Sequence, residues 1–536
     1  VIHRTLRYAA DHPGESPMSR SFGSLVAAAA LLVSAAGPAA AQGAPKGGTL
    51  HAIVAPEPPS LMVGLVHNGP TQMVAGNIYE SLLRYDAKLE PQPSLAERWE
   101  ISPDQKTYTF HLRRNAKWHD GKPFSADDVV FSLDVFHRAT HPRVRPILAA
   151  QVERIEKADD YTVRVVLKQP FGPILSMFEP GSATIVPKHI YEGTDFRQNP
   201  MNNTPIGTGP MKLKEWRKGA FIHLVRNEDY YLPGKPALAE AYFRIVPDAA
   251  ARAVAYEKGE VDVLTGGSVE VFDVPRLAKL PNTCVETKGY EMFAPVGMLI
   301  MNLRNGPLAN KAFRQGLMHA IDRDFSKDVV WSGYAKVATG PLSSKTKFYT
   351  DDVPKYAYDV KKAKELIARS GYKGEPVRLL GLPYGETWTR WTEQVKQNLE
   401  EAGVKVVVEA SDVAGWNKRL GEWDFDLTFN FPYQYGDPAL GVARQYVSSN
   451  IVKGSPFVNN GGYSNPEVDR LFAEAANATA EKRPELYKKV QQILVDELPI
   501  LWLTEMEFPT VHRCNVKDIA TTAIGINDAL REARKE

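Results

Sequence analysis

The chain has 536 residues, 43% hydrophobic and 24% charged, and its 65 Lys and Arg against 63 Asp and Glu give a formal net charge of +2. That near-neutral balance carries no electrostatic footprint for nucleic acid or an anionic membrane surface, and the apolar content suits packed cores rather than disorder. A mean hydropathy of −0.30 excludes a polytopic membrane protein, and two cysteines, Cys284 and Cys514, are too few for a disulfide scaffold, a cysteine-based zinc site or an iron–sulfur centre.

Near the N-terminus, residues 22–41 read FGSLVAAAALLVSAAGPAAA, with Arg20 before them and Ala39-Ala40-Ala41 at the end. A basic flank, an apolar run and small residues at a cleavage position predict a secretory signal peptide. Gly37 and Pro38 cut the run below the roughly 20 residues of a spanning helix. Met18 is a better start than Val1, and cleavage after Ala41 leaves Gln42, which is not a lipid-accepting cysteine. The expectation is an unstructured leader over 1–41 and a free exported protein, one whose compartment permits a Cys284–Cys514 bridge. Two buried free thiols are the alternative.

Helix and strand signals then alternate. YTFHLR (108–113) and YTVRVVL (161–167) have strand periodicity. Ser125 and Asp128 form a capping box ahead of a helix with Val129, Leu133 and Phe136 on one face. VRLLGL (377–382), a helix over 386–402 with Trp388, Trp391, Val395 and Leu399 inward, a Gly403 stop and VKVVVEA (404–410) make a βαβ unit. Asn465-Pro466 opens a further helix, and a last long one runs over 484–497, before Pro499. The class is α/β.

Catalytic signatures are missing: there is no G-x-S-x-G, H-E-x-x-H, G-x-x-x-x-G-K-[ST] or G-x-G-x-x-G. Gly207-Thr208-Gly209-Pro210 begins like a phosphate loop, but Pro210 lacks the amide a cradle needs, so a tight turn is expected. His137 and His141 have the i, i+4 spacing of metal ligands, yet Pro142 follows and no carboxylate flanks them, so an incidental surface pair is expected and no metal site or cofactor.

An ordered set of segments carries a family resemblance. It comprises IYESLLRYD (78–86), PQPSLAERWEISPDQKTYTFHLRRNAKWHDGKPFSADDVVFSL (91–133), PKHIY (187–191), PIGTGPMKLKEW (205–216), RNEDYY (226–231), GEVDVL (259–264), FRQGLMHAIDRD (313–324) and GYSNPEVDRLF (462–472). Together they resemble the bacterial extracellular solute-binding proteins of family 5, the periplasmic oligopeptide-, dipeptide- and nickel-binding components of ABC transporters. The resemblance implies a non-enzymatic, two-lobe periplasmic binding protein fold of the class II type. Lobe one would be 42–288 plus 508–536, with an extra subdomain at about 78–200, and lobe two would be 289–507. Both cysteines would then lie in lobe one near the crossings, which favours the bridge. The protein would be a periplasmic monomer that captures a peptide-like solute and docks on an ABC permease with its ATPase.

Ligand contacts are implied for Trp416, Asn430, Tyr433, Gln434, Tyr435 and Asp437, in and before WDFDLTFNFPYQYGDP (423–438), with Arg390 meeting a ligand carboxylate. Gln434 stands where peptide-gripping relatives place an amine-binding aspartate, four residues before Pro438. A neutral amide does not match an ammonium in a dry cleft, so Asp437 or Glu57 would have to substitute, or the solute is an opine, a sugar conjugate or a metal chelate. Leu61-Met62, where many relatives have Leu-Asp, reads as a local structural change. A secreted hydrolase is the remote alternative, motivated only by the cleft and its acids.

Overall fold

The computed structural model describes residues 47–536; the expected leader over 1–41 lies outside the described residues. Among the described residues no helix is long and apolar enough to cross a membrane.

Three sheets organise the chain. In the first, of seven strands, Thr49–Val54 lies near the middle, parallel to Glu240–Ile245 on one side and to Val263–Leu264 on the other. Phe221–Arg226 and Met211–Arg217 extend one edge, and Thr510–Arg513 followed by Thr283–Glu286 the other, all antiparallel. The second sheet has six strands centred on Val296–Met301, a run buried on both faces, the pattern of a strand covered from two sides. Ile500–Met506 and Leu427–Asn430 flank it antiparallel. Val377–Leu380 and Val406–Glu409 follow in parallel, linked by the helix Glu386–Glu401. Trp388, Trp391, Val395 and Leu399 of that helix are buried as its periodicity predicts. The third sheet is antiparallel, in the order Ala96–Ile101, Thr107–Leu112, Thr162–Leu167, Val152–Asp159. Its face packs into a separate core containing Phe110, Trp118, Phe124 and Phe178.

The local chemistry behind these elements is largely as the sequence implies. Ser125 and Asp128 form both halves of the capping box. The helix they open differs from a plain α-helix, however: after Ala126–Val130 it continues as a π-turn segment, Phe131–His137. Ser132 Oγ donates to the Asp128 carbonyl at 2.6 Å, and such back-bonding competes with the i→i−4 ladder. At the Gly207–Pro210 corner, a Cβ on Gly207 would lie 1.9 Å from the Ile78 carbonyl oxygen, and Gly209 N donates to that oxygen at 2.8 Å. Close backbone approach, not phosphate binding, explains these glycines.

Only two stretches join the seven- and six-stranded sheets. The chain leaves Glu286 and enters the six-stranded sheet at Val296, then returns between Met506 and Thr510. Cys284 and Cys514 are disulfide-bonded beside these crossings, 5.1 Å apart at Cα, and the bridge closes a loop of 230 residues that contains the whole six-stranded sheet. Cross-linking so long a loop removes denatured-state entropy. Cys514→Ser is therefore expected to lower stability by about 2–4 kcal/mol, read as a drop in the denaturant midpoint; the wild type in reducing buffer should fall by the same amount, and an unchanged midpoint in both would refute it.

Candidate functional site

A cavity of about 2210 Å³ lies between the two large sheets, roofed in part by the third-sheet region. It is bounded by both crossings, through Tyr290, Phe293 and Phe508, and by the ends of six-stranded-sheet elements, through Tyr384, Trp388 and Phe431. These rings form one connected wall. Tyr290 and Phe508 are 5.6 Å apart, Phe293 and Tyr433 4.8 Å, and Trp388 stacks on Phe431 at 5.1 Å. Such pairs add packing energy beyond area and present a flat apolar face to a guest.

Of the eight residues predicted to touch a ligand, Glu57, Asn430, Tyr433 and Tyr435 line this cavity. Asn430 accepts from the Phe431 amide at 2.8 Å, and its Nδ2 is buried without a partner. Burial pushes the Tyr433 phenol up, so it stays a neutral hydroxyl. Glu57 accepts from Trp216 Nε1 at 2.9 Å and from the Gly219 amide, so it is already engaged.

The other four lie elsewhere. Trp416 is fully buried behind the wall, its Nε1 donating to Thr428 Oγ1 at 2.9 Å. Asp437 caps Ala439 N and pairs with buried Arg483 at 2.7 Å. Arg390 is exposed, bonds Glu386 one turn earlier and stacks on Phe272 at 3.9 Å. Gln434 faces away from the cavity: its Oε1 accepts from Ser343 N and Thr346 Oγ1, and its Nε2 donates to the Pro341 carbonyl at 3.1 Å. Its role is positional. Gln434 N and Gly436 N are bonded to the Phe293 and Met292 carbonyls, which holds Tyr435 between them in a left-handed conformation, φ +53°. That conformation is costly for an aromatic residue and persists because its neighbours over-determine it.

Three cavity residues had no local signal in the sequence: His67, Arg143 and Arg444. The Arg143 guanidinium lies 3.7 Å from the Tyr435 ring centre and that of Arg444 6.0 Å. His137 and His141 turn out to support Arg143, and the expectation of a surface pair is corrected, since both are fully buried. His141 Nδ1 accepts from the amides of Arg143 and Val144, and His137 Nε2 donates to the Thr184 carbonyl at 2.6 Å. Helix Val144–Gln151 starts at this point and so aims Arg143 at the cavity. Burial depresses His137 to about 4 and, with Arg143 and Arg444 adding repulsion, His67 to about 3; His141 is held well below its usual value. Unfolded, each would take up a proton near 6.5, whereas the folded state resists it until far lower pH. Stability should therefore be intact above about pH 6.5 and fall as pH drops toward 4, by about 3 kcal/mol for His137 alone. A melting temperature that stayed flat from pH 7 to 4.5 would contradict this burial.

Comparison with known proteins agrees with this architecture. Residues 90–452 match the family model described as bacterial extracellular solute-binding proteins, family 5 Middle. The chain is 29% identical over 475 residues to the dipeptide-binding protein of Escherichia coli (strain K12), covering 84% of this chain and 87% of that one. It is 29% identical over 473 residues to heme-binding protein A of Haemophilus influenzae, covering 82% and 83%. Among solved structures, the ABC transporter-associated periplasmic binding protein DppA from Helicobacter pylori, in complex with the peptide STSA, superposes with a TM-score of 0.79 at 27% identity, over 92% of this chain and 99% of that one. The chain belongs to the bacterial extracellular solute-binding proteins of family 5, the non-catalytic solute receptors of ABC importers.

Proposed function

We propose that this chain is an exported, monomeric receptor that captures a peptide or peptide-like solute between two lobes, 42–288 with 508–536 and 289–507, and delivers it to a membrane permease and its ATPase. The observation that carries the reading is the aromatic-walled cavity of about 2210 Å³ set between two sheets joined by two crossings. That volume is well above the roughly 300–1,000 Å³ of ordinary small-molecule pockets and leaves room for an extended solute. Capture works by closure, because a guest that touches both lobes stabilises the closed arrangement over the open one. Low-micromolar affinity needs about −8 kcal/mol net, within reach of aromatic packing plus a few charge-assisted hydrogen bonds. Residues 18–41 would direct export, with Gln42 leaving no lipid anchor.

A second reading, a non-peptide solute such as an opine, sugar conjugate or metal chelate, is favoured by the lack of a free acid from the 430–437 loop. Gln434 is turned away and Asp437 is neutralised by Arg483, so neither meets an ammonium group. Mass spectrometry of solute released by denaturing natively purified protein separates the two readings. A thermal-shift panel of peptides, opines, oligosaccharides and nickel chelates should contain at least one ligand worth about 2.7 kcal/mol at a hundredfold excess over Kd. No released solute together with no shift would sink the receptor reading.

A contact across the cavity supports this reading of closure as a clasp. Glu270, in the segment following strand Val263–Leu264, accepts from Glu386 N at 2.9 Å, Thr387 N at 3.0 Å and Thr387 Oγ1 at 2.6 Å, at the start of helix Glu386–Glu401. A carboxylate there also meets the positive end of the helix dipole. A side chain on Gly385 would collide with it, the Cβ lying 2.5 Å from Glu270 Oε1. Phe272 under Arg390 lies beside it. Glu270→Ala is expected to enlarge the ligand-free radius of gyration in solution scattering and to speed solute release about tenfold, as loss of one charged hydrogen-bonded contact implies. Scattering and release rates equal to wild type would show that the clasp does not hold the lobes.

A further inference from the structure

We propose that the cleft recognises a carboxylate of its solute between Arg143 and Arg444, beside the Tyr435 ring, and that it binds anionic solutes for which a free α-amino group is not required. The inference rests on the receptor reading above and names the chemistry of its solute.

The charges around the cavity are unequal in how they are used. Each carboxylate on its wall among the described residues is engaged. Glu57 is bonded by Trp216 and Gly219, and Asp248 caps Ala251 N. Glu270 caps the clasped helix, Asp469 holds Ser448, and Glu507 pairs with Lys345. Arg252 is likewise satisfied, by the carbonyls of Ser268, Val246 and Pro247. Arg143 and Arg444 are different. Arg143 gives Nη2 to Ser182 Oγ and lies 3.7 Å from Glu179, yet its Nε and Nη1 are buried without partners. Arg444 gives only Nε, to the Gly441 carbonyl at 3.2 Å. Among the described residues it has no acidic partner, and its titratable neighbours include the Tyr435 phenol, Arg143 and His67.

The local sum is two guanidinium charges against one carboxylate. Glu179 is itself tied up, Oε2 by the Gly181 amide and Oε1 by Ser182. His67 contributes nothing positive, since it is held neutral, its Nε2 3.2 Å from Gln72 Nε2. One positive charge therefore stands half-buried on the cavity wall with no acid to match it. Its natural complement is an anion that takes two guanidiniums at once, and planar guanidinium forks match a carboxylate's two oxygens. Arg143 comes from the third-sheet region and Arg444 from the six-stranded-sheet side. A carboxylate bound to both would thus couple recognition to closure. Tyr435, fixed by Gln434 and Gly436, lies beside both guanidiniums.

Isothermal titration calorimetry on the full mature chain tests this with four probes: N-acetyl-Ala-Ala-Ala as the free acid, its C-terminal amide, unmodified Ala-Ala-Ala, and an opine-type N-carboxyalkyl amino acid. The expected result is binding of at least one acid with no binding of the amide, and acetylation of the amine should cost less than threefold. Binding by the peptide acid points to a C-terminal carboxylate, and binding by the opine type alone points to a non-peptide diacid; either supports the site. Arg444→Gln, which strands no acid, should weaken the acid about 10- to 100-fold, as loss of a charged hydrogen-bond donor implies, with Arg444→Lys recovering part of it. Circular dichroism and melting confirm that each variant is folded. Equal affinity for acid and amide, an unaffected Arg444→Gln, or a neutral or cationic solute in the natively purified protein would overturn the anion site and leave the receptor reading standing. An absence of any bound solute and any binding probe would overturn both.

Discussion

The cleft depends on one constraint: two sheets that each bury a core of their own, joined by only two short stretches of chain. Val296–Met301 is covered on both faces within the six-stranded sheet, and Leu50, Ala52 and Val54 anchor the seven-stranded one. Neither core needs the other to exclude water, so the space between them stays open to a guest. Aromatic residues on the crossings, Tyr290, Phe293 and Phe508, turn the connection itself into a wall of the site. The Cys284–Cys514 bridge fastens the strands on which both crossings begin and end. Whatever motion the two halves make, its base is tied.

The segment 430–437 shows how a cavity-lining loop divides its labour. Asn430, Tyr433 and Tyr435 face the cavity, while Gln434 and Asp437 are turned into protein and satisfied there. Only Tyr433, Gln434 and Tyr435 alternate in the manner of an extended segment; the left-handed turn at Tyr435 and Gly436 breaks that alternation before Asp437, and buried polar side chains are kept where their hydrogen bonds are complete. The glutamine at 434 thus does structural work, fastening the loop to residues 341–346 and holding Tyr435 in its strained conformation. Gln434 is neutral and turned away, and Asp437 is paired with Arg483, so neither brings a free carboxylate to the cavity.

Electrostatics in the third-sheet region follow the same logic of burial. His137 and His141, unremarkable as a spaced pair in sequence, are neutral scaffolding under Arg143. Glu80, buried with Tyr230, Tyr231 and Thr208 as donors, knits that region to the Gly207–Pro210 corner. Glu80 and His137 find their partners in residues distant in sequence, which is why neither announces its role locally.

By itself the sequence determined what short-range chemistry controls: the βαβ unit over 377–410, the Ser125–Asp128 capping box, the Asn465 cap, the tight corner at Gly207–Pro210 and, through an ordered run of segments, the family. Periodicity, capping and glycine placement are local properties, so they are legible one window at a time. Tertiary structure decided the rest. The two thiols, free or bonded on sequence grounds, are joined because strands Thr283–Glu286 and Thr510–Arg513 pair side by side. Trp416 and Arg390 look suited to a ligand, yet one lies in the core and the other in a surface clasp. Arg143 and Arg444, 301 positions apart in the chain, meet at Tyr435 only after three sheets have been assembled. Which face a side chain presents, and which charges remain unmatched, depends on neighbours supplied by distant segments.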